Sequence, residues 1–434
     1  MGRFRWMMLA VAGLFLLGGV AWVILVKFEW EKPTLTMLPE GEYLSQKITL
    51  QAEDRKSGLA ELHLEALQQG KAISLIQEQF PPGVYQMEKT IALRPLPQGL
   101  KDGEVQIRLS AKDHSWNRGN PVVLERRYII DTQPPRISIL GGPHYANQGG
   151  AGFVVFQSSE EIPKNGIQVG DSFFPGYPAG KDRYQAYFAI QREVSPKTSI
   201  SVAGEDRAGN RAQTPFPLFI RPKKFIHDRI QITENFLRNI LPYFQAQNPN
   251  LKGEPIEMFL AINQRQRQID HGEIQKICQK TTAQSLWSGP FMGLPNAKAM
   301  AAFGDERTYW YNGRQIDRQI HLGLDLASTN QSPVPAGNSG KVVFAGPLGI
   351  YGNTVILDHG FGLFSMYAHL SQIETEVNRE VKKGEPLGRT GATGMAGGDH
   401  LHFSILIHGV FVNPIEWLDP HWIKDNVERK QIPG

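Results

Sequence analysis

The sequence predicts a mainly β, multidomain protein with a single transmembrane helix at its N-terminus. Its 434 residues are too many for one hydrophobic core, which favours two to four domains. Residues 6–26 carry no charge, and short runs that alternate apolar and polar residues recur further along the chain. A stretch with helical spacing follows these runs, and the final third is rich in glycine and short apolar strands.

The composition is globular and argues against nucleic-acid binding. Hydrophobic residues make up 41% of the chain and charged residues 20%, so extended disorder is not expected. The net charge of +4 is a small surplus over this length, and it is not concentrated as a nucleic-acid binder would require. Cys278 is the single cysteine, so no intrachain disulfide can form, and we expect it to be a small buried apolar residue.

The N-terminal apolar stretch predicts a membrane anchor. Residues 6–26 are 21 in number, and a helix needs about 20 to cross a bilayer. Arg3 and Arg5 precede the stretch, so the positive-inside rule places Met1 in the cytoplasm and the bulk of the chain outside it. A cleaved signal peptide is the alternative, but the stretch ends in large apolar residues rather than a small-residue cleavage site. We assign 1–32 to a cytoplasmic tip and an uncleaved anchor.

The next segment predicts two β-sandwich domains, at 33–132 and 133–222. Residues 47–52 and 104–111 alternate apolar and polar side chains with period two, as half-buried strands do. A weak repeat, in which an alternating strand ends in a turn built from Asp, Gly and Asn, begins its turns at Asp113 and Asp206. These acidic turns could bind calcium, although a hydrogen-bonding turn residue is the favoured interpretation. The strand rhythm and the turns resemble bacterial immunoglobulin-like modules.

A helical connector is predicted at 223–284. Its apolar residues recur at helical spacing from Ile230 onward, and Thr233 and Glu234 suit a helix start. Two to four helices fit this length. The connector could regulate or cover a neighbouring site, or could simply pack against the next domain. The sequence leaves these alternatives open.

The segment 285–434 predicts a compact, mostly antiparallel β domain that carries the chemistry. Three short motifs concentrate its histidines: His321 with Asp325 four residues later, His369, and the pair His400 and His402. Imidazole nitrogen and carboxylate oxygen are zinc ligands, and a catalytic site needs three protein ligands and one open position. In a strand, residues two apart share a face, so one histidine of the pair can bind metal while the other reaches substrate.

His321 and Asp325 cannot both bind one ion from a straight strand. Four residues of strand span about 13 Å, which is too far for two ligands of the same metal. We therefore predict a bend between them, with Gly323 as its position.

Together these motifs resemble the lysostaphin-like, or LytM-type, zinc metallopeptidase family. The motifs are His-Leu-Gly-Leu-Asp at 321–325, Tyr-Gly-Asn at 351–353, Asp-His-Gly at 358–360, Tyr-Ala-His-Leu at 367–370 and His-Leu-His-Phe at 400–403, in the family's order. The resemblance covers roughly 285–420, about a third of the chain. It implies that His321, Asp325 and His402 hold Zn²⁺. The Gly-Met-Ala-Gly-Gly-Asp loop at 394–399 departs from the family's usual Ser/Thr-Gly approach to the last motif.

The resemblance also implies an activity. His369 and His400 would act as catalytic residues on the attacking water and the transition state, in a fold with the metal in a groove. The expected enzyme is a membrane-anchored zinc metalloendopeptidase that hydrolyses peptide cross-links of peptidoglycan on the outer side of the cell membrane. The alternative is a non-catalytic or autoinhibited cell-wall-binding protein that activates another wall hydrolase. The expected partners are peptidoglycan, the inner membrane and an envelope protein bound through the sandwich domains.

Overall fold

The computed structural model describes residues 2–142 and 144–431. Helix α1, Gly2–Lys27, opens the chain, and its segment Trp6–Ile24 has the length and hydropathy of a membrane span. A signal sequence would meet the same criteria. Met1, Pro143 and residues 432–434, together with the side chains of residues 1–5, 25 and 26, lie outside what is described, so the predicted chain ends and the flanking Arg3 and Arg5 are not tested.

The chain forms two compact units. Unit 1 comprises residues 1–135 and 205–211, and unit 2 comprises residues 136–204 and 212–434. Strands predominate in both, which confirms the mainly β fold class. The domain limits predicted from the sequence stay predictions.

Unit 1 contains two sheets packed around one apolar core. A three-stranded sheet has the order β1-β3-β6 and a five-stranded sheet the order β2-β8-β7-β4-β5. Side chains from both sheets, such as Met37, Leu50, Leu64 and Ile107, are buried between them. The strands are β1 (Thr34–Leu38), β2 (Tyr43–Leu44), β3 (Lys47–Glu53), β4 (Leu59–Gln68), β5 (Lys71–Gln79), β6 (Gln86–Ala92), β7 (Gly103–Asp113) and β8 (Val122–Ile130).

The acidic residues of the repeat serve as hydrogen-bonding turn residues. Asp113 Oδ1 accepts from the Ser115 backbone N–H at 2.9 Å. Asp206 Oδ1 accepts from the Asn210 backbone N–H at 2.8 Å. Each carboxylate satisfies backbone donors that a tight turn would leave unpaired, which is the favoured of the two interpretations.

Unit 2 begins with three small sheets, whose orders are β14-β15-β11-β9, β13-β12-β16-β17 and β10-β18. Their core includes Phe153, Phe156, Phe188 and Val202, all fully buried. The strands are β9 (Ile137–Leu140), β10 (His144–Asn147), β11 (Ala151–Ser158), β12 (Lys164–Val169), β13 (Ser172–Pro175), β14 (Tyr177–Pro178), β15 (Arg183–Ala189), β16 (Ile200–Glu205), β17 (Arg211–Pro215) and β18 (Leu218–Arg221).

The connector contains one strand followed by helices. β19 (His227–Gln231) precedes α2 (Glu234–Gln247), whose N-cap Thr233 accepts from the Phe236 backbone N–H through its hydroxyl. α3 (Pro255–Ala261), a π-helix (Ile262–Gln266) and α4 (Arg267–Ile277) follow without a break. The helix start at Thr233 is as predicted. The extension of the helical stripe back to Ile230 was wrong, because residues 227–231 pair with a later strand.

The last part of unit 2 is dominated by one large sheet of order β20-β23-β31-β27-β26-β25-β29, with β32 beside β31. Two smaller sheets, β24-β30-β28 and β19-β21-β22, flank it. The elements are β20 (Lys298–Ala301), β21 (Glu306–Tyr311), β22 (Arg314–Ile320), β23 (Leu324–Ala327), β24 (Pro333–Pro335), β25 (Gly340–Pro347), β26 (Asn353–Gly360), β27 (Leu363–Leu370), β28 (Gln372–Ile373), β29 (Glu380–Val381), β30 (Pro386–Arg389), β31 (Leu401–Ile407), β32 (Val410–Val412), α5 (Pro414–Leu418), α6 (Pro420–Ile423) and α7 (Arg429–Gln431).

Both faces of the central strands are covered. Every residue of β27 and β31 is buried, which is why these strands read as apolar runs rather than as alternation. Tyr367 and Phe403 face a core that continues into the three small sheets. Phe364 and Met366 face the opposite core, which the connector helices complete. The large sheet is therefore held between two layers of the same unit.

Trp417 joins the small sheets to the large one. Its fully buried indole lies 5.8 Å from the Tyr187 ring of β15, and 5.6 Å and 5.8 Å from the rings of Trp287 and Phe291. Beside it, Glu416 accepts from Asn147 Nδ2 at 2.7 Å and from the Ala151 backbone N–H at 2.8 Å. Burial raises the pKa of the Glu416 carboxyl to about 7, against the two hydrogen bonds that favour its ionised form.

The indole contacts predict a large loss of stability in Trp417→Ala. Removing a fully buried tryptophan side chain costs about 3–5 kcal/mol of unfolding free energy, because transfer and cavity terms add. Urea denaturation of the full chain in detergent, followed by circular dichroism, measures the loss in unit 2. The matched control is Ile415→Ala in the same helix, where the side chain is 46% exposed and a change within about 0.5 kcal/mol is expected. Equal losses in the two variants would contradict the assignment.

Glu416 predicts a pH dependence of the same transition. Because its folded-state pKa is raised, its stabilising contribution is complete below the ordinary pKa of 4.5 and is lost as the pH rises through about 7. The expected loss is on the order of 3 kcal/mol across this window. Glu416→Gln is expected to remove that slope from the urea midpoint measured between pH 4.5 and 8, whereas the exposed Glu428→Gln should retain it. A slope unchanged in Glu416→Gln would show that other groups cause it.

Candidate metal centre and groove

Strand register brings Asp325 and His402 together. In the antiparallel pair β23 and β31, Asp325 lies opposite His402, and on the other side of β31 His402 lies opposite Ala368 of β27. His321 precedes β23 and reaches the same point because the chain leaves β22 at Ile320 and bends before Leu324. Gly323 lies in the bend, so the predicted break between His321 and Asp325 is confirmed.

Gly323 is needed for close approach. A Cβ atom at this position would lie 2.5 Å from both Cε1 and Nε2 of His402 and 2.7 Å from Ser404 Oγ. Cβ atoms in proteins essentially never lie within 3.0 Å of such atoms, so a residue with a side chain would clash here. Glycine therefore allows the backbone to lie against the His402 imidazole.

Three ligand-type atoms converge at the site. His321 Nε2 lies 2.9 Å from Asp325 Oδ1 and 3.1 Å from His402 Nδ1, and His402 Nδ1 lies 2.9 Å from Asp325 Oδ1. All three residues are buried, with exposed fractions of 4%, 8% and 4%. Among the described residues, this is the cluster of possible metal ligands that contains imidazole nitrogens.

In His321 and His402, the ring nitrogen that faces away from the cluster makes a hydrogen bond that assigns the tautomer. His321 Nδ1 donates to the Ala302 carbonyl at 2.9 Å, which leaves Nε2 without a proton. Ser404 Oγ donates to the Leu322 carbonyl, so it accepts from His402 Nε2 and leaves Nδ1 without a proton. Three lone pairs therefore face one another, an arrangement that is repulsive unless a cation lies between them.

The Asp325 carboxylate is held on both sides. Its Oδ2 accepts from Arg307 Nη2 at 2.9 Å, while Oδ1 faces the imidazoles. Burial lowers the pKa of His402 to about 4, so this imidazole is neutral.

His369 and His400 lie beside the cluster, with ring centroids 4.9 Å apart. His369 Nδ1 donates to the Thr393 carbonyl and His400 Nδ1 donates to the Gly398 carbonyl, so each Nε2 is directed away from the backbone contact. His400 Nε2 lies 3.6 Å from Asp325 Oδ1. Burial lowers the pKa of His369 well below its usual value.

The pKa of His400 moves in the opposite direction. Burial, the largest single effect, lowers it, but the Asp325 carboxylate, 3.6 Å away, raises it above the usual value.

The backbone of His369 is unusual. Its φ of 62° is in the left-handed region, which non-glycine residues enter rarely and at a cost. The register between β26 and β27 shifts at this point, between Asn353 and Val355. A bulge of this kind re-aims one side chain at the end of a strand, and here it turns the imidazole toward the cluster.

A cavity of about 430 Å³ opens onto the five residues, and we call it the groove. One wall comes from the connector, through Ile230, Phe236 and Arg267, and another from Tyr351 and Met395. Tyr367, by contrast, is buried in the core, where its hydroxyl accepts from the Gly337 backbone N–H and from Ser365 Oγ. His359 is also a core residue, with both ring nitrogens bonded to Ser339 and Ser365.

The structure thus brings together all five residues predicted from the sequence. Sequence reasoning missed Arg307, Ser404 and the connector wall. Ser404 could have been found, because it stands two residues beyond His402 on the same face of β31. Arg307 carries no motif, and its position depends on the pairing of β21 with β22.

The sequence profile of peptidase family M23 matches residues 319–414. Lipoprotein NlpD of Yersinia enterocolitica is 37% identical over 95 residues, which cover 22% of this chain and 97% of that sequence. The chain belongs to peptidase family M23. The matched segment contains the five clustered residues, whereas Arg267 and Arg307 precede it.

Other relatives match a similar share of the chain. DD-carboxypeptidase/endopeptidase Mpg of Neisseria meningitidis is 39% identical over 97 residues, which cover 22% of each protein. Peptidoglycan DD-endopeptidase ShyA of Vibrio cholerae is 33% identical over 96 residues, again 22% of each. The match therefore spans about a fifth of the length of these curated relatives. The catalytic domain of the antimicrobial peptidase lysostaphin from Staphylococcus simulans is 30% identical, with a TM-score of 0.25, over 29% of this chain and 94% of that one.

Because Gly323 lies so close to the His402 ring, we expect Gly323→Ala to destabilise unit 2. The new methyl group must displace the His402 ring or the backbone, and such overpacking costs about 1–3 kcal/mol. Urea denaturation measures the change. Gly397→Ala is the matched control, because a Cβ atom there meets nothing within 4 Å although the residue also lines the groove. A Gly323→Ala variant as stable as Gly397→Ala would refute the steric argument.

Proposed function

We propose that this protein is a membrane-anchored zinc metalloendopeptidase that hydrolyses peptide cross-links of peptidoglycan. The observation that carries the proposal is the convergence of three proton-free ligand atoms, from His321, Asp325 and His402, at the base of a groove. Two imidazoles and one carboxylate are the donor set of a catalytic zinc site that keeps a fourth position open. Their outer atoms are fixed by Ala302, Ser404 and Arg307, as second-shell partners of a metal site are.

The proposed chemistry depends on the groups that surround the open coordination position of the metal. Zinc, when bound, supplies Lewis acidity and makes water a stronger acid. His369 and His400 each keep Nδ1 on a backbone carbonyl, so each can accept a proton at Nε2 from the attacking water and return it to the leaving amine. In its protonated form either imidazole can also donate to the oxyanion. The buried surroundings strengthen these interactions by excluding water.

The substrate and the location rest on the family and on α1. Relatives named as peptidoglycan endopeptidases support a cell-wall peptide as substrate. The span at Trp6–Ile24 supports a single-pass anchor, with the groove on the outer side of the cell membrane, and relatives named as lipoproteins also support an envelope location. We assign the β-sheets of residues 33–222 to binding an envelope protein partner. An activator without catalysis is the alternative, but it would not need all five residues.

The decisive experiment uses the purified full-length chain in detergent with isolated peptidoglycan. We expect soluble muropeptide release that a chelator abolishes, with one zinc per chain by elemental analysis. His402→Ala is expected to lose both zinc and release. Ser404→Ala, which removes only the outer hydrogen bond, is expected to bind zinc about 10- to 100-fold more weakly.

His421→Ala is the matched control, because this histidine is exposed and lies outside the groove. It should retain wild-type zinc content and release. Stoichiometric zinc without release would refute peptidoglycan hydrolysis and favour the activator function. Absence of zinc from the wild-type chain would overturn the metal site itself.

A further inference from the structure

The connector contributes an unpaired arginine to the groove. Arg267 lines the same cavity as His369 and His400, although it lies outside the matched family segment. It is the first residue of α4 and directly follows the π-helix at Ile262–Gln266. Short π-helical segments inside α-helices occur frequently at functional sites, because the extra residue per turn redirects the side chains around it.

The guanidinium of Arg267 is held in place by groups that do not neutralise it. Its Nε donates to the Asn263 carbonyl at 3.1 Å and its Nη2 to Asn263 Oδ1 at 2.7 Å. Asn263 is fully buried and is itself fixed by Asp317 Oδ2 at 2.7 Å. Nη2 also approaches Met395 Sδ at 3.9 Å, on the opposite wall of the groove. The side chain is therefore positioned before any ligand arrives.

No carboxylate pairs with Arg267 among residues 2–142 and 144–431, and its Nη1 has no hydrogen-bond partner there. The nearby acid Asp270 is occupied elsewhere, since Oδ1 accepts from Gln266 Nε2 and Oδ2 from the Ile350 backbone N–H. The other two arginines of the groove differ. Arg307 is paired with Asp325, and Arg229 lies 3.9 Å over the Trp310 ring. Arg267 thus faces the groove held by hydrogen bonds rather than by an ion pair, with Nη1 available to a ligand.

We propose that Arg267 is a specificity-determining residue that binds a free carboxylate of the substrate. A guanidinium offers a planar pair of donors that matches a carboxylate, and its strength increases where water is excluded. Because Arg267, His369 and His400 line one groove, the proposal places the carboxylate on the residue that follows the scissile amide. The groove would therefore favour acidic peptides that are cut beside a free α-carboxylate. This inference rests on the proposed peptidase function.

The test compares two synthetic wall peptides that differ in one group. One carries a free α-carboxylate on the residue that follows the scissile amide, and in the other that carboxylate is converted to an amide. The zinc-loaded full-length chain is expected to cleave the free acid with a kcat/KM about 10- to 100-fold higher, the size of one charge-assisted hydrogen bond. In Arg267→Gln that preference should disappear, because kcat/KM falls further for the free acid than for the amidated peptide.

Arg265→Gln is the matched control. It lies in the π-helix, is exposed, and faces a different cavity, so the preference should remain. Arg267→Lys keeps the charge but not the paired donors and should retain part of the preference. An unchanged preference in Arg267→Gln, or a parallel fall for both peptides, would overturn the assignment.

Failure of the proposed function has a separate signature. If the wild-type chain cleaves neither peptide, the peptidase proposal fails, and calorimetric binding of the same two peptides then decides the role of Arg267. Tighter binding of the acid that Arg267→Gln abolishes supports the assignment, and equal affinities overturn it.

Discussion

The position of β31 between β23 and β27 is the constraint on which the rest of unit 2 depends. The register sets Asp325 opposite His402 on one side and Ala368 opposite His402 on the other. A slip of one residue would exchange His402 for Leu401 or Phe403 at the site, because the side-chain period of a strand is two. Apolar packing on both faces makes such a slip costly. The register is thus fixed by two apolar cores, neither of which contains any of the five clustered residues.

The sequence predicted the five clustered residues, but it did not predict the neighbouring residues and strands that hold them in place. Period-two spacing placed His400 and His402 on one face, and the geometry of a straight strand required the bend at Gly323. Arg307 could not be predicted, since it reaches Asp325 only through the pairing of β21 and β22. The error at Ile230 has a physical origin, because a short apolar run fits either period and its strand partner, Tyr309 in β21, lies far along the chain.

The groove combines rigid and strained elements. His321 and His402 are bonded on their outer sides, so their ligand atoms need no rearrangement to meet a cation. His369 occupies a left-handed backbone conformation at a bulge, which costs energy that the surrounding sheet must supply. The connector wall adds a third element, since a π-helix is itself less stable than the α-helix it interrupts. Functional geometry here is concentrated at irregular points of an otherwise regular sheet.

The aromatic cluster around Trp417 lies outside the segment that matches the family, and this affects what a gene fusion could transfer. The segment that matches the family, residues 319–414, stops three residues before Trp417 and begins well after Tyr187. A gene fusion that transferred this segment alone would leave behind both the indole and the rings that enclose it, and would expose one face of the central sheet to water. In this chain, a block that keeps that face covered extends past Trp417 and includes the small sheets that precede the matched segment. The matched segment therefore ends inside a packed core, and residues before and after it complete that core.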